Sequence, residues 1–184
     1  GITLDNNFIH DTEGEGVYIG PNWYEGNPPL RNIIIRNNRI EDTGWDGIQL
    51  KSAISGTNVI SGNTLRRVGV RSDSSSKGQL FGISMLDGNG SIRGNLVENA
   101  GDTAIQHYLQ YLPPSYGNQT GEIYNNVVIA PGRVGLLAGN GIDGIDRSAA
   151  HDRLLHLFGE GQELKNALAS PIARLLALGT AAGT

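Results

Sequence analysis

Two acidic residues stand at the same position in successive copies of a short repeat. Glu15 directly precedes Gly16, and Asp46 directly precedes Gly47, in both cases at the start of an apolar segment. If the copies stack as neighbouring strands, the two carboxylates lie ~5 Å apart. Retaining glycosidases use a pair of carboxylates at this separation, and two like charges so close together raise the pKa of one of them. The pair therefore predicts an acid–nucleophile site.

The same two carboxylates fit two other interpretations. Their oxygen atoms, with those of Glu13 or Asp42 nearby, are ligands of the kind that Ca²⁺ prefers. Stacking imposes a spacing of ~5 Å on any two aligned residues, however, and the next regular copy has Thr103 at this position. We therefore keep a catalytic pair, a calcium site and solvated turn carboxylates as alternatives for Glu15 and Asp46.

Lys51 and the histidines are the other residues that could do acid–base chemistry. In a lyase, Lys51 could remove the proton next to the carboxylate of a uronic acid, which requires a lowered pKa or a neutralising cation. The alternative is a solvated surface lysine. His107 falls at an inward position, where a hydrogen-bonded buried histidine is expected rather than a catalytic one. His10, His151 and His156 have no partner pattern for metal or triad chemistry.

A repeat of short apolar segments must position these residues. Each of five segments alternates apolar and polar residues and then has an asparagine, one variable residue and an apolar residue. The aligned asparagines are Asn7, Asn38, Asn63, Asn95 and Asn126, at spacings of 31, 25, 32 and 31 residues. A fixed period of this size is typical of repeat architectures, and the alternation indicates strands rather than helix pairs.

A second apolar block follows each asparagine and completes a unit of three strands. The blocks begin at Gly16, Gly47, Gly82, Ala104 and Gly135. The interval from the asparagine is 9 residues in four copies and 19 in the third, which therefore contains an insertion of about ten residues. For the second unit the pattern predicts strands at Ile33–Arg36, Arg39–Asp42 and Gly47–Lys51.

These repeats resemble the pectate-lyase-like superfamily of right-handed parallel β-helices, whose rungs carry an asparagine ladder at a two-residue turn. The resemblance covers residues 2 to about 140 and implies an all-β solenoid of about five rungs with three strands each. Inward asparagine amides would bond one another, since rungs lie ~4.8 Å apart. The predicted inward stacks are Val17, Ile48, Ile83, Ile105 and Leu136, and Ile19, Leu50, Met85, His107 and Ala138.

The resemblance also implies where a sugar would bind. In carbohydrate-active members the sugar lies along the outer face of the strand stack placed here at 16–20, 47–51, 82–86 and 104–108. The predicted substrate-binding residues on this face are Tyr18, Gln49, Ser84, Gln106 and Tyr108. Long loops beside the face carry Trp23, Tyr24, Tyr111 and Tyr116, and loops on a rigid scaffold are common sites of function. The alternative is that this face is polar only because it is exposed to solvent, and that it binds no sugar.

Composition and motifs narrow the class of function. A net charge of −4 does not support a nucleic-acid or anionic-membrane partner, no segment is long enough to span a membrane, and without cysteine there is no thiol nucleophile. We expect an extracellular or cell-surface β-helix that acts on a polysaccharide or oligosaccharide as a lyase or glycosidase. The Gly-His-Gly, Asp-Pro-His-Asp and Arg-x-Pro-x-x-Arg motifs of defined enzymes on this scaffold do not occur. A non-catalytic carbohydrate-binding, adhesive, spike or filament module is therefore the alternative.

A change of composition predicts two regions. Residues 1–144 form the β-helix, and because Ile2 already lies inside a repeat we expect either a preceding part of a longer solenoid or a partner that covers this end. Residues 145–184 are rich in Leu and Ala, and Ser170 followed by Pro171 is a helix N-cap signal. This segment is predicted to be a helical cap, a self-association segment or a foreign tail.

Overall fold

The computed structural model describes residues 1–21, 29–71, 79–109 and 120–140, and these residues form short β-strands joined by turns. The strands are β1 (Ile2–Asp5), β2 (Phe8–Thr12), β3 (Val17–Ile19), β4 (Leu30–Arg31), β5 (Ile33–Arg36), β6 (Arg39–Thr43), β7 (Ile48–Lys51), β8 (Ala53–Ser55), β9 (Val59–Ser61), β10 (Thr64–Val68), β11 (Ile83–Leu86), β12 (Gly90–Arg93), β13 (Leu96–Ala100), β14 (Thr103–Leu109), β15 (Gly121–Tyr124), β16 (Val127–Ile129) and β17 (Val134–Asn140).

Three five-stranded sheets surround the core. The first sheet has the order β1-β5-β9-β12-β15, the second β2-β6-β10-β13-β16 and the third β3-β7-β11-β14-β17. Neighbouring strands in all three sheets are parallel. One strand from each sheet makes a rung, so the predicted all-β parallel β-helix is confirmed. The small β4–β8 sheet was not predicted from the repeat.

The predicted strands of the second unit agree with β5, β6 and β7 to within one residue at each end. The register of the third sheet aligns the members of both predicted inward stacks rung by rung, and all of them are buried or half-buried except Ala138 in the last rung, which is exposed. Ile48, Leu50 and Met85 are fully buried, and burial of a side chain of this size stabilises the fold by about 2 kcal/mol. The predicted helical segment 145–184 and the four loop aromatics predicted beside the third sheet lie outside the described residues.

The five repeat asparagines form a continuous ladder, as predicted. The Nδ2 of each one donates to the Oδ1 of the next at 2.9 Å, from Asn7 to Asn126. The backbone N–H of each also donates to that same Oδ1. The three central members, Asn38, Asn63 and Asn95, are buried, whereas Asn7 in the first rung is exposed.

The residue before each ladder asparagine turns the chain from the first sheet into the second. These residues, the turn column, have positive φ: Asn6 58°, Asn37 54°, Gly62 63°, Gly94 62° and Asn125 54°. Side chains with a Cβ avoid this left-handed region, and glycine and asparagine adopt it most readily. The Asn-Asn and Gly-Asn pairs in the sequence are therefore the local cause of this turn.

A second column of positive φ lies near the end of the second-sheet strands, and two of its five members, Arg67 and Ala130, are residues that rarely adopt this region. Its members are Asp11 53°, Asp42 55°, Arg67 51°, Asn99 56° and Ala130 47°. Alanine in the left-handed region is strained by about 1 kcal/mol. We expect Ala130→Asn to raise the free energy of unfolding by about 0.5–1 kcal/mol, measured by urea denaturation. The reverse change one rung away, Asn99→Ala, should lower it by a similar amount, and the same sign for both changes would contradict the prediction.

Candidate functional site

Asp46 carries the most perturbed carboxyl group of the described residues. It lies at the turn into β7 and has no exposed surface. The backbone N–H of Phe81, one rung away, donates to its Oδ1 at 2.9 Å, while its Oδ2 has no hydrogen-bond partner among the described residues. An unpaired buried carboxylate oxygen is costly, so this group is better accommodated in its protonated form.

The electrostatics of Asp46 agree with a proton on its carboxyl group. Burial raises the pKa of Asp46 from its ordinary value of 3.8 to about 8. The Phe81 N–H opposes the rise, the charge of Glu15 adds to it, and the charge of Lys51 opposes it. Asp46 is therefore mainly a neutral acid at neutral pH. The spacing of Glu15 and Asp46 in the sequence predicts a raised pKa caused by the neighbouring carboxylate, but burial is the larger cause.

Glu15 and Lys51 are the charged neighbours of this acid. Glu15 lies one rung before Asp46, as predicted, since the Gly16 N–H donates to the Asp46 carbonyl oxygen at 3.0 Å. Glu15 and Lys51 are both half-buried, and the Lys51 Nζ lies 5.2 Å from the centre of the Tyr18 ring. This arrangement places a buried neutral acid near three groups that retain some exposed surface: a carboxylate, an ammonium and an aromatic ring.

The described residues do not provide a set of side chains that could bind calcium together. Asp42 is engaged in a two-point ion pair with Arg67, at 2.6 and 2.7 Å. Within the described ranges, no three acidic or histidine side chains are grouped as metal ligands would be. Calcium binding by Glu15 and Asp46 stays a prediction from the sequence.

The outer face of the third sheet is buried at its centre, contrary to the expected exposed strip. Gln49 is 2% exposed, Ser84 0% and Gln106 5%, and the Gln106 Nε2 donates to the Ser84 Oγ at 2.7 Å. Strand alternation correctly indicates that these residues face away from the core, but it says nothing about what covers them. Tyr18 and Tyr108 are half-buried, so exposed surface remains at the margins of the face.

Five buried polar atoms of the described residues lack hydrogen bonds, and three of the residues that carry them were not predicted from the sequence. The unpartnered atoms among the described residues are Trp45 Nε1, Asp46 Oδ2, Gln49 Oε1, Ser52 Oγ and Gln79 Oε1. Buried polar atoms are nearly always paired, so each of these unpaired atoms is a candidate contact for a ligand, an ion or an ordered water. Trp45 adjoins Asp46 and Ser52 adjoins Lys51 in the chain, and that adjacency was the available signal. Gln79 had no such signal.

His107 is structural, as predicted. It is buried, and its Nε2 donates to the Gly88 carbonyl oxygen at 2.8 Å. Burial lowers the pKa of His107, although the Gly88 carbonyl and the charge of Asp87 oppose this. A neutral inward histidine therefore replaces an apolar residue in the stack of Leu50 and Met85.

Together, the parallel sheets, the asparagine ladder and the acid group at the edge of the third sheet define a β-helix module. The chain belongs to the family described as the right-handed beta helix region, whose model matches residues 1–149. Comparison with curated proteins and with solved structures gave no match. None of the described segments forms a helix with the length and hydropathy required to cross a membrane.

Proposed function

We propose that this β-helix is a carbohydrate-active module in which Asp46 and Glu15 act as an acid pair on a polysaccharide. The observation that carries the proposal is the buried, half-satisfied Asp46 carboxyl, with its pKa raised to about 8 beside a second carboxyl group. Strongly perturbed acids of this kind are concentrated at catalytic sites, where two environments separate the roles of two carboxyl groups.

The two carboxyl groups have complementary roles in this proposal. Asp46 gives its proton to the glycosidic oxygen as the bond to the anomeric carbon breaks, and Glu15 attacks that carbon as the ionised partner. A rung spacing of ~4.8 Å suits the retaining geometry. The Asp46 carboxylate then takes a proton from a water molecule, whose oxygen displaces Glu15 from the anomeric carbon and returns both carboxyl groups to their starting states. Because Asp46 is fully buried, the proposal requires that the groups covering it move when the sugar binds.

Tyr18, Lys51 and Tyr108 form the sugar-binding margin of this site. The Tyr18 ring and the Lys51 ammonium lie against each other, so an acidic sugar could stack on the ring and place its carboxylate beside the ammonium. Gln49, Ser84 and Gln106 meet the sugar only after the cover over them moves. In a lyase, Lys51 would instead remove the proton next to the uronate carboxylate.

A non-catalytic β-helix module is the second candidate, and the burial of the outer face favours it. Gln49, Ser84 and Gln106 together expose almost no surface, and two of them bond to each other. A buried, hydrogen-bonded face of this kind stabilises the solenoid itself and does not require a ligand. A module of this kind would bind carbohydrate or assemble into a larger structure without cleaving a bond.

Turnover on a panel of polysaccharides separates the two candidates. We expect the purified chain to release reducing ends, or unsaturated uronides if it is a lyase, and Asp46→Asn or Glu15→Gln to lower the rate by about 10²–10⁴-fold. Glu13→Gln, at an exposed neighbour, is the matched control and should keep full activity. Binding without turnover would establish the non-catalytic module. Full turnover by Asp46→Asn would exclude catalysis by the Asp46–Glu15 pair.

A further inference from the structure

A notch on the outer face of the first sheet contains an exposed arginine. Arg93, at the end of β12, is in register with Ser61 of β9 on one side and Tyr124 of β15 on the other. The notch is a shallow depression, largely open to solvent, with a volume of about 300 Å³, and it is lined by Ser61, Gly62, Arg93, Gly94, Tyr124 and Asn125. Its floor is open because two successive rungs have glycine in the turn column, where three other rungs have asparagine.

Among the described residues, Arg93 differs from most other arginines in having no acidic side chain within ion-pair distance. The paired arginines are Arg36 with Asp5, Arg39 with Glu41, Arg66 with Glu98, Arg67 with Asp42 and Arg133 with Asp102. In the part of the chain that the structure describes, Arg93 forms no ion pair. Glu122, on the same face two residues before Tyr124, is not within ion-pair distance of it. The notch therefore presents an uncompensated positive charge.

We propose that this notch binds the carboxylate of a uronic-acid residue in a polysaccharide. The guanidinium of Arg93 has the planar, two-donor shape that matches a carboxylate. The ring of Tyr124, one rung of ~4.8 Å away, can pack on the apolar face of the same sugar. Ser61 and Asn125 offer a hydroxyl and an amide for its ring hydroxyls, so the site matches an acidic sugar rather than a simple anion.

This inference deepens the proposed function, since it names an acidic glycan and rests on a sugar-handling role. Its residues belong to the first sheet, whereas Asp46 and Glu15 lie beside the third sheet. The notch is thus a separate binding site that would hold the polymer while another part of it meets the acid pair. Sugar binding at the notch should be unchanged in Asp46→Asn, so the two proposals can fail independently.

Calorimetric titration of the full chain with three oligosaccharides tests the site. The probes are tetragalacturonate, a neutral tetrasaccharide and a sulfated galactan oligosaccharide of similar length. We expect tetragalacturonate to bind and Arg93→Gln to weaken that binding by about tenfold or more, as loss of a charged hydrogen-bond donor does. Tyr124→Ser should also weaken binding, and Tyr124→Phe should weaken it less, because the ring is kept.

Arg31→Gln is the matched control, since Arg31 is exposed, has no ion pair among the described residues and carries the same charge. It should leave the affinity for tetragalacturonate unchanged. An equal loss in Arg31→Gln, no binding of tetragalacturonate to the unmodified chain, or equal binding of the neutral probe would overturn the proposal. Tighter Arg93-dependent binding of the sulfated probe would overturn the assignment to a carboxylate.

Discussion

Replacement of Asn95 by alanine should lower the free energy of unfolding by about 3 kcal/mol. The Asn95 side chain accepts hydrogen bonds from the backbone N–H and the Nδ2 of Asn63. It also donates to the Ile60 carbonyl and to the Asn126 Oδ1. Without it, the Asn63 N–H and the Ile60 carbonyl are left buried without these partners, each at a cost of ~1–3 kcal/mol. Urea denaturation followed by circular dichroism measures the loss.

The control for this prediction is Asn125→Gly, which removes an exposed amide from the turn column. Glycine already occupies this column at Gly62 and Gly94, so the positive φ is kept and the stability should change by less than about 1 kcal/mol. Equal losses in Asn95→Ala and Asn125→Gly would show that the ladder does not stabilise the solenoid beyond the turn itself.

The second large effect is a dependence of stability on pH that comes from Asp46. Its pKa is about 8 in the folded chain and near 3.8 when unfolded, so the folded state holds an extra proton between these values. The free energy of unfolding must therefore decrease as pH rises through this window. From pH 6.5 to pH 8 the decrease is roughly 2 kcal/mol. Asp46→Asn, which cannot ionise, should flatten this part of the curve.

Between pH 6.5 and pH 8, the effect of Asp46 on stability can be distinguished from the effect of His107. The pKa of His107 lies below its ordinary value of 6.5, so its stabilisation is lost as pH falls below 6.5 rather than as it rises. Glu15 and Lys51 face Asp46 and are unchanged in the Asp46→Asn variant. Glu13→Gln should reproduce the original curve, and a slope that persists in Asp46→Asn would show that another group causes it.

The repeat and its register could be derived from sequence because each depends on neighbours along the chain. A strand alternates every two residues, and the turn before each ladder asparagine needs a residue that tolerates positive φ. These local rules placed the ladder of Asn7 to Asn126 and both inward stacks correctly. They did not predict the β4–β8 pair, because neither strand carries the repeated motif and the register between them is irregular.

The properties of the candidate sites were decided by tertiary structure. Sequence aligned Glu15 with Asp46 and placed Gln49, Ser84 and Gln106 on one face, but it could not show that the last three are buried. The protonated state of Asp46 depends on its burial and on the Phe81 N–H, which comes from the next rung. The uncompensated charge of Arg93 depends likewise on Ser61 and Tyr124, the neutral residues that its neighbouring rungs place beside it. Desolvation and charge pairing depend on distances in space between residues 25 to 35 positions apart, and only the folded solenoid sets those distances.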